Sequence, residues 1–237
     1  MGLVSFRGKI LKIIDETPTV KTFRFERPED FHFKAGQSCS LAFPDRIVPG
    51  RRMYSFSNSM ADSDFFEVTI KKHGSFSSMM FSIKEGAEID VKGPFGNTFV
   101  FDESHHEGIV LLAGGVGVAP FMSMLQYASS RGMKNELVLM FSSKEEREII
   151  ARKRLDSYME NGKKISVVYA LTQEQPSGWK GEKGRINSKM IKKYIKGMPD
   201  KYKYFICGPD AFISSMKIEI KGMSVDERNI VIEEWGI

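Results

Sequence analysis

Three short segments of this chain carry residue types that do chemistry in combination. Arg52-Met53-Tyr54-Ser55 puts a guanidinium, an aromatic face and a hydroxyl within four positions. The run Ala113-Gly114-Gly115-Val116-Gly117-Val118-Ala119-Pro120 is a glycine loop, and Cys207-Gly208-Pro209 sets a thiol just before a turn. A guanidinium presents a fork of donors that matches phosphate oxygens. Glycines let backbone turn tightly against a pyrophosphate, and the unpaired N–H groups of a following helix favour an anion there. In this order the segments predict two facing nucleotide sites, one for a flat ring system and one for a dinucleotide.

Taken singly, each segment has a plainer account. Arg-x-Tyr-Ser can be an exposed cation beside a half-buried aromatic. The glycine run can be a tight strand-to-helix turn, with Pro120 where a dinucleotide fingerprint has glycine or alanine. Proline is well tolerated in a first helical turn, where its missing N–H has no helical partner. Cys207 can be a small buried apolar residue. Context favours the chemical reading. The glycine loop follows an apolar strand and opens a helix, and Lys72-His73-Gly74-Ser75-Phe76-Ser77-Ser78 forms a second turn into a helix, a second anion site in the first half.

The elements that must position these residues come in two textures. Up to about residue 101, short runs at 9–14, 20–25 and 66–70 alternate with period two between Gly, Pro and Asp, which predicts an antiparallel barrel or sandwich, with one helix over 76–83. Beyond about residue 103, apolar strands at 109–113, 137–141, 165–171, 204–207 and 230–232 alternate with helices at 119–129, 145–160, 188–195 and 211–220. That alternation predicts βαβ units around a parallel sheet. The polar segment 102–108 reads as a linker, giving a first domain over 1–103 and a second over 107–237.

At these residues the chain resembles the ferredoxin–NADP reductase superfamily, as a small two-domain flavin-dependent NAD(P)H oxidoreductase. The resemblance implies an N-terminal antiparallel Greek-key β-barrel holding FAD, with FMN as the alternative, and a C-terminal α/β domain holding NADPH or NADH. It places Arg52 at the flavin phosphates, and Met53, Tyr54 and Ser55 at the ring. Thr69, Ile70 and Lys71, and the helix start at Gly74, Phe76, Ser77 and Ser78, complete that side. Gly114, Gly115, Gly117 and Pro120 would hold the pyridine nucleotide, with Ser142, Ser143, Lys144 and Arg147 where a 2′-phosphate would lie. Cys207, Gly208 and Pro209 would sit beside the nicotinamide. Ser55, Cys207 and Glu233 would serve catalysis, and Trp235 either covers the flavin or packs the last strand.

Composition bounds the partners. At 237 residues the chain suits two ordinary domains. Its two cysteines, Cys39 and Cys207, cannot build a disulfide framework or a four-thiolate iron–sulfur site, and Cys39 is read as barrel core. No histidine is spaced as a metal ligand, so no metal is expected. The charge-free stretch 108–130 is long enough to span a membrane, but its glycines and proline read as strand, turn and helix. The first residues lack the apolar core of a secretion signal, which points to the cytoplasm. The net charge of +5 lies wholly in the second half. That surplus suits an acidic electron carrier such as a ferredoxin or flavodoxin, or is a solvated lysine surface. No arginine stripe interleaved with aromatics supports nucleic-acid binding. A monomer or weak dimer is expected, and the alternatives are the reductase component of a multicomponent oxygenase or a flavin-free module that kept the fold.

Overall fold

The computed structural model describes residues 2–44, 50–62, 64–101, 107–133, 135–161, 164–173 and 176–233. In the first half lie β1 (Val4–Thr17), β2 (Val20–Glu26), β3 (Ser38–Ala42), β4 (Arg52–Ser55), β5 (Phe65–Lys71), α1 (Gly74–Ser82) and β6 (Glu88–Phe95). The strands run in the order β4-β3-β6-β1-β2-β5 with every pair antiparallel. A bridge from Phe56 to Val68 joins the two edges, so the sheet nearly closes into a barrel. Alternation explains its filling. Phe23 and Phe25 of β2 and Phe66, Val68 and Ile70 of β5 all point inward and are fully buried. Phe31, Phe33 and Phe56 complete an aromatic centre in which Phe33 and Phe56 stack with centroids 3.8 Å apart. Cys39 lies in this core, and burial pushes its thiol pKa up.

The second half contains β7 (Gly108–Gly114), α2 (Ala119–Arg131), β8 (Glu136–Ser143), α3 (Arg152–Asn161), β9 (Ile165–Leu171), β10 (Glu182–Lys183), α4 (Ser188–Tyr194), β11 (Tyr202–Cys207), α5 (Asp210–Lys221) and β12 (Ile230–Glu233). Its sheet runs β10-β9-β8-β7-β11-β12, parallel throughout. Helices cover both faces, which is why β7 and β8 read as continuous apolar runs. Ile109, Leu111, Leu137 and Leu139 pack with α2 and α3, while Val110, Leu112, Val138 and Met140 face α4 and α5. The predicted barrel plus parallel sheet is the fold observed.

Three strands escaped the sequence pattern. In β3 the run Ser38-Cys39-Ser40-Leu41 has no β-branched or aromatic residue, β6 contains Gly93-Pro94, and β10 is two residues long. The single helix expected over 145–160 is a correction. A short 3₁₀ turn at Glu146–Glu148 precedes α3, and between them Ala151 takes a left-handed φ of 52°. That conformation is costly for a residue with a Cβ. It is held because the Ala151 N–H donates to Glu16 Oε2 on β1 (3.0 Å), where a continuous helix would direct it to the carbonyl one turn earlier. The linker at 102–106 and the ending 234–237, Trp235 included, lie outside the described residues. Among the described residues no helix is long and apolar enough to cross a membrane.

Candidate active site

β4 stands at one edge of the barrel sheet, and its side chains divide as strand alternation demands. Arg52 is exposed at its head, where the guanidinium donates to the Arg51 carbonyl (3.1 Å). Arg51, in contrast, is tied to Ser40 (Nε to Oγ, 2.9 Å) and to the Asp90 carbonyl (3.1 Å), so it fastens β3 to β6. Met53 is exposed. Tyr54 leans on the barrel core with its ring centroid 6.1 Å from that of Phe76, and burial pushes its hydroxyl pKa up. Ser55 is buried on the opposite side and donates to Glu233 Oε2 across 3.1 Å.

That bond crosses from barrel to nucleotide domain. Strand register aligns Cys207 with Ala113 on one side and with Glu233 on the other. Cys207 Sγ lies 4.0 Å from the same Glu233 Oε2. Ser55 and Cys207 therefore meet at one carboxylate oxygen of Glu233, and Cys207 and Glu233 stand at the C-terminal ends of parallel strands, where open α/β sheets bind ligands.

The glycine loop is packed to the same point. A side chain at Gly117 would overlap the Cys207 carbonyl and stand 2.6 Å from the Gly208 nitrogen, and one at Gly114 would stand 2.8 Å from the Phe212 ring. Gly115 differs. It has φ 54° with open space where a Cβ would go, as a backbone surface for a ligand requires. Pro120 is buried in the first turn of α2, and Pro209 caps α5 just after Gly208. Ser142 pairs with Gly114 in register at the adjoining strand end. Ser143 is buried, and its carbonyl accepts from the Thr172 N–H (2.9 Å). Lys144 is exposed, and Arg147 is paired with Glu145 at 2.7 Å.

On the flavin side, Gly74 has φ 78° and open space beside it at the start of α1. Ser77 Oγ donates to the His73 carbonyl and accepts from the His73 N–H, both at 2.6 Å, so it shapes that helix start. Phe76 is buried and Ser78 half-buried. Thr69 is bonded to Thr22 (2.8 Å) and Ile70 fills the barrel core, while Lys71 is exposed. Thr69 and Ile70 are thus committed to the barrel through their side chains. Ser57, two residues past Ser55 on the same strand face, is fully buried, and its hydroxyl has no hydrogen-bond partner among the described residues. A buried hydroxyl without a partner is costly unless a ligand completes it. Exposed Arg52, open Gly74 and the orphan at Ser57 fit a phosphate-bearing ring cofactor such as FAD.

The two halves match known families in turn. Residues 8–100 match the Oxidoreductase FAD-binding domain and residues 111–217 the Oxidoreductase NAD-binding domain. One half is thus an oxidoreductase FAD-binding domain and the other an oxidoreductase NAD-binding domain, in the fold of ferredoxin NADP+ reductase-type structures. Its two domains are those of FAD- and NAD-binding oxidoreductases. It is 28% identical over 235 residues to the glycine betaine monooxygenase reductase subunit of Pseudomonas aeruginosa, covering 96% of this chain and 63% of that protein. It is 28% identical over 218 residues to the sulfhydrogenase 1 subunit gamma of Pyrococcus furiosus, covering 89% and 72%. The chain thus spans about 63% of the length of the monooxygenase reductase relatives. Among solved structures, a ferredoxin NADP+ reductase from Neisseria gonorrhoeae with bound FAD and NADP superposes with TM-score 0.84 at 24% identity, over 97% of this chain and 98% of that one. The ferredoxin reductase of carbazole 1,9a-dioxygenase gives TM-score 0.85 at 21% identity, over 100% and 70%.

Among the described residues no three His, Cys, Asp or Glu side chains are grouped as a metal site. A cavity of about 440 Å³ beside β9 is walled by Tyr169, Trp179 and Arg152, and none of the predicted site residues lines it. Sequence reading missed the polar contacts between the domains, chiefly Arg154 with Glu67 and the Ala151 N–H with Glu16. For Glu67 a signal existed, since a carboxylate interrupts Phe66-Glu67-Val68. For Arg154, one cation in a charged helix, there was none.

Proposed function

We propose that this chain oxidises NAD(P)H and passes the electrons to a carrier protein or other acceptor, using the cleft between residues 1–103 and 107–237. The convergence of Ser55 and Cys207 on Glu233 Oε2 carries this reading. There polar side chains of the flavin-motif strand and of the nucleotide sheet meet. Bound FAD would supply the redox chemistry, accepting a hydride and releasing electrons singly or in pairs.

The chain's own residues bind, orient and exclude water. Arg52, with Gly74 and Ser78 at the start of α1, would hold the flavin phosphates. Tyr54 offers a ring face and Ser55 a hydroxyl at the edge of the cleft. Gly114, Gly115, Gly117 and Pro120 would bind the coenzyme pyrophosphate through backbone N–H groups. Cys207, Gly208 and Pro209 would wall the nicotinamide, with Ser142, Ser143, Lys144 and Arg147 toward the adenosine end. Lys144 and Arg147 favour NADPH, as cations for a 2′-phosphate. Glu233 accepts the Ser55 hydrogen bond and can hold a proton at Oε2 beside the reacting rings. Holding donor and acceptor in register supplies much of the rate in such a site.

The basic second half supports an acidic electron carrier such as a ferredoxin or flavodoxin, and the cytoplasm is the compartment proposed for it. A second reading, the reductase component of a multicomponent oxygenase, is favoured by the likeness to the monooxygenase reductase subunit. One experiment tests the core proposal. The protein is purified, its flavin is released and identified by chromatography, and the holoprotein is titrated anaerobically with NADPH and with NADH. Released FAD and bleaching of the flavin by either coenzyme are expected. A colourless protein that oxidises neither coenzyme overturns the proposal.

A further inference from the structure

Glu67 sits on β5 between two core residues, Phe66 and Val68, and so projects outward from the barrel. Its side chain is nevertheless 1% exposed, because it is covered where the barrel meets α3. Its two carboxylate oxygens are divided between two guanidiniums. Oε1 accepts from Arg24 Nε (3.0 Å) and Nη2 (2.9 Å), and Oε2 accepts from Arg154 Nη1 (2.6 Å). Arg24 is the cross-strand partner of Glu67 on β2 and lies on the Phe65 ring at 3.7 Å. Arg154 comes from the other domain.

This division has a physical consequence. A buried carboxylate stripped of all partners costs several kcal/mol. Here Arg24 keeps Glu67 paired within the barrel whether the domains stand closed or apart. Arg154 makes an ion pair across the joint, so its bond can set the approach of the domains without the barrel's stability depending on it. The rest of the joint combines ring contacts of Phe99 with Phe121 (5.8 Å) and Phe205 (5.3 Å) with hydrogen bonds from Ser55 to Glu233, from Ser123 to the Asn58 carbonyl and from the Ser59 N–H to Gln126. Around the ion pair it is not close-packed. A cavity of about 470 Å³ lies there, lined by Ile14, Glu16, Arg24, Glu67, Ala151 and Arg154. Orientation on that side therefore rests on two directed bonds, Arg154 to Glu67 and the Ala151 N–H to Glu16, both made by the segment that begins α3.

We propose that Arg154, through Glu67, is a positioning residue that holds the nucleotide domain closed on the barrel, keeping Ser55 against Glu233 and Cys207. The proposal rests on the reading of that cleft as the meeting place of flavin and nicotinamide. Cys207 reports closure, since it is buried at the cleft, while Cys39, buried in the barrel core, is an internal control.

The test uses the holoprotein and Arg154→Met and Arg154→Lys variants. Thiol labelling is followed residue by residue by peptide mapping, beside stopped-flow flavin reduction by NADPH. In Arg154→Met, labelling of Cys207 should quicken about tenfold with Cys39 unchanged, as in a local opening. Flavin reduction should slow about tenfold, as expected of slight misalignment by a remote change. Arg154→Lys should recover part of both. Unchanged Cys207 labelling in Arg154→Met, or an equal rise at Cys39, overturns the proposal. Failure of the wild-type flavin to be reduced would instead overturn the functional reading and leave the thiol result to judge the clasp.

Discussion

Gly117 rests against the backbone of Cys207 so closely that even a methyl group at 117 would overlap the Cys207 carbonyl. The loop that opens α2 and the turn after β11 are therefore one packed unit, although ninety residues of chain separate them. Backbone cannot swing aside as a flexible side chain can. Gly117→Ala should cost about 1–3 kcal/mol, as overpacking does, and lift the loop from the strand end. Thermal unfolding and coenzyme titration check this together. A lower Tm, weaker NADPH binding and unchanged flavin content are expected.

The Ser55–Glu233 bond leads to a second prediction. Ser55→Ala removes the barrel's donor to Glu233 but leaves Arg52, Tyr54 and α1 in place. Flavin should stay bound while its reduction by NADPH slows by about tenfold or more. Glu233→Gln keeps an acceptor for Ser55 yet cannot take up a proton. It should change the pH profile of turnover, whereas Ser55→Ala should lower the profile without reshaping it. Matching profiles for both variants would remove proton handling from Glu233.

Coenzyme choice is tested at the end of β8. Lys144 is exposed, and Arg147 is already engaged with Glu145. Lys144→Glu with Arg147→Glu should shift the ratio of kcat/KM for NADPH over NADH toward NADH by about tenfold, through loss of charge-assisted bonds to a 2′-phosphate. Steady-state kinetics with both coenzymes decide it, and an unchanged ratio refutes the placement.

Burial raises the pKa of Tyr54, Tyr169 and Tyr204, and for Tyr169 the hydrogen bond to Asp156 adds to the effect. The folded state therefore keeps protons that the unfolded chain would release above about pH 10. By linkage this contribution to stability is complete below the unfolded pKa and is lost as pH rises from there toward the folded values. Followed by ultraviolet absorbance, some of the seven tyrosines should ionise gradually and the buried ones only in a cooperative step with alkaline unfolding. A smooth single titration of all seven, with the fold intact, would contradict the burial.

The sequence made the parallel sheet legible because strands covered on both faces must be apolar throughout, as in Ile109, Val110, Leu111 and Leu112. It made Ser55, Cys207 and Glu233 legible as candidates through motif order, although no spacing in the chain foretells that they share one oxygen. The break before α3 was illegible for a physical reason. Nothing local distinguishes Ala151 from its neighbours, and its left-handed backbone follows from a bond to Glu16, 135 positions earlier. The same holds for Arg154, whose partner lies in the other domain. Local pattern reports periodicity and turn chemistry, and contacts between domains leave no periodic trace.

Helix α2 begins at the glycine loop, and further along it Ser123 Oγ donates to the Asn58 carbonyl (2.7 Å) while Gln126 Oε1 accepts from the Ser59 N–H (2.9 Å). Asn58 and Ser59 lie just past the end of β4, the strand that carries Tyr54 and Ser55. Both proposed nucleotide sites are thus referenced to a single rod. A tilt of α2, thermal or mutational, displaces both in common mode, and their separation, on which the reaction depends, changes less than either position does.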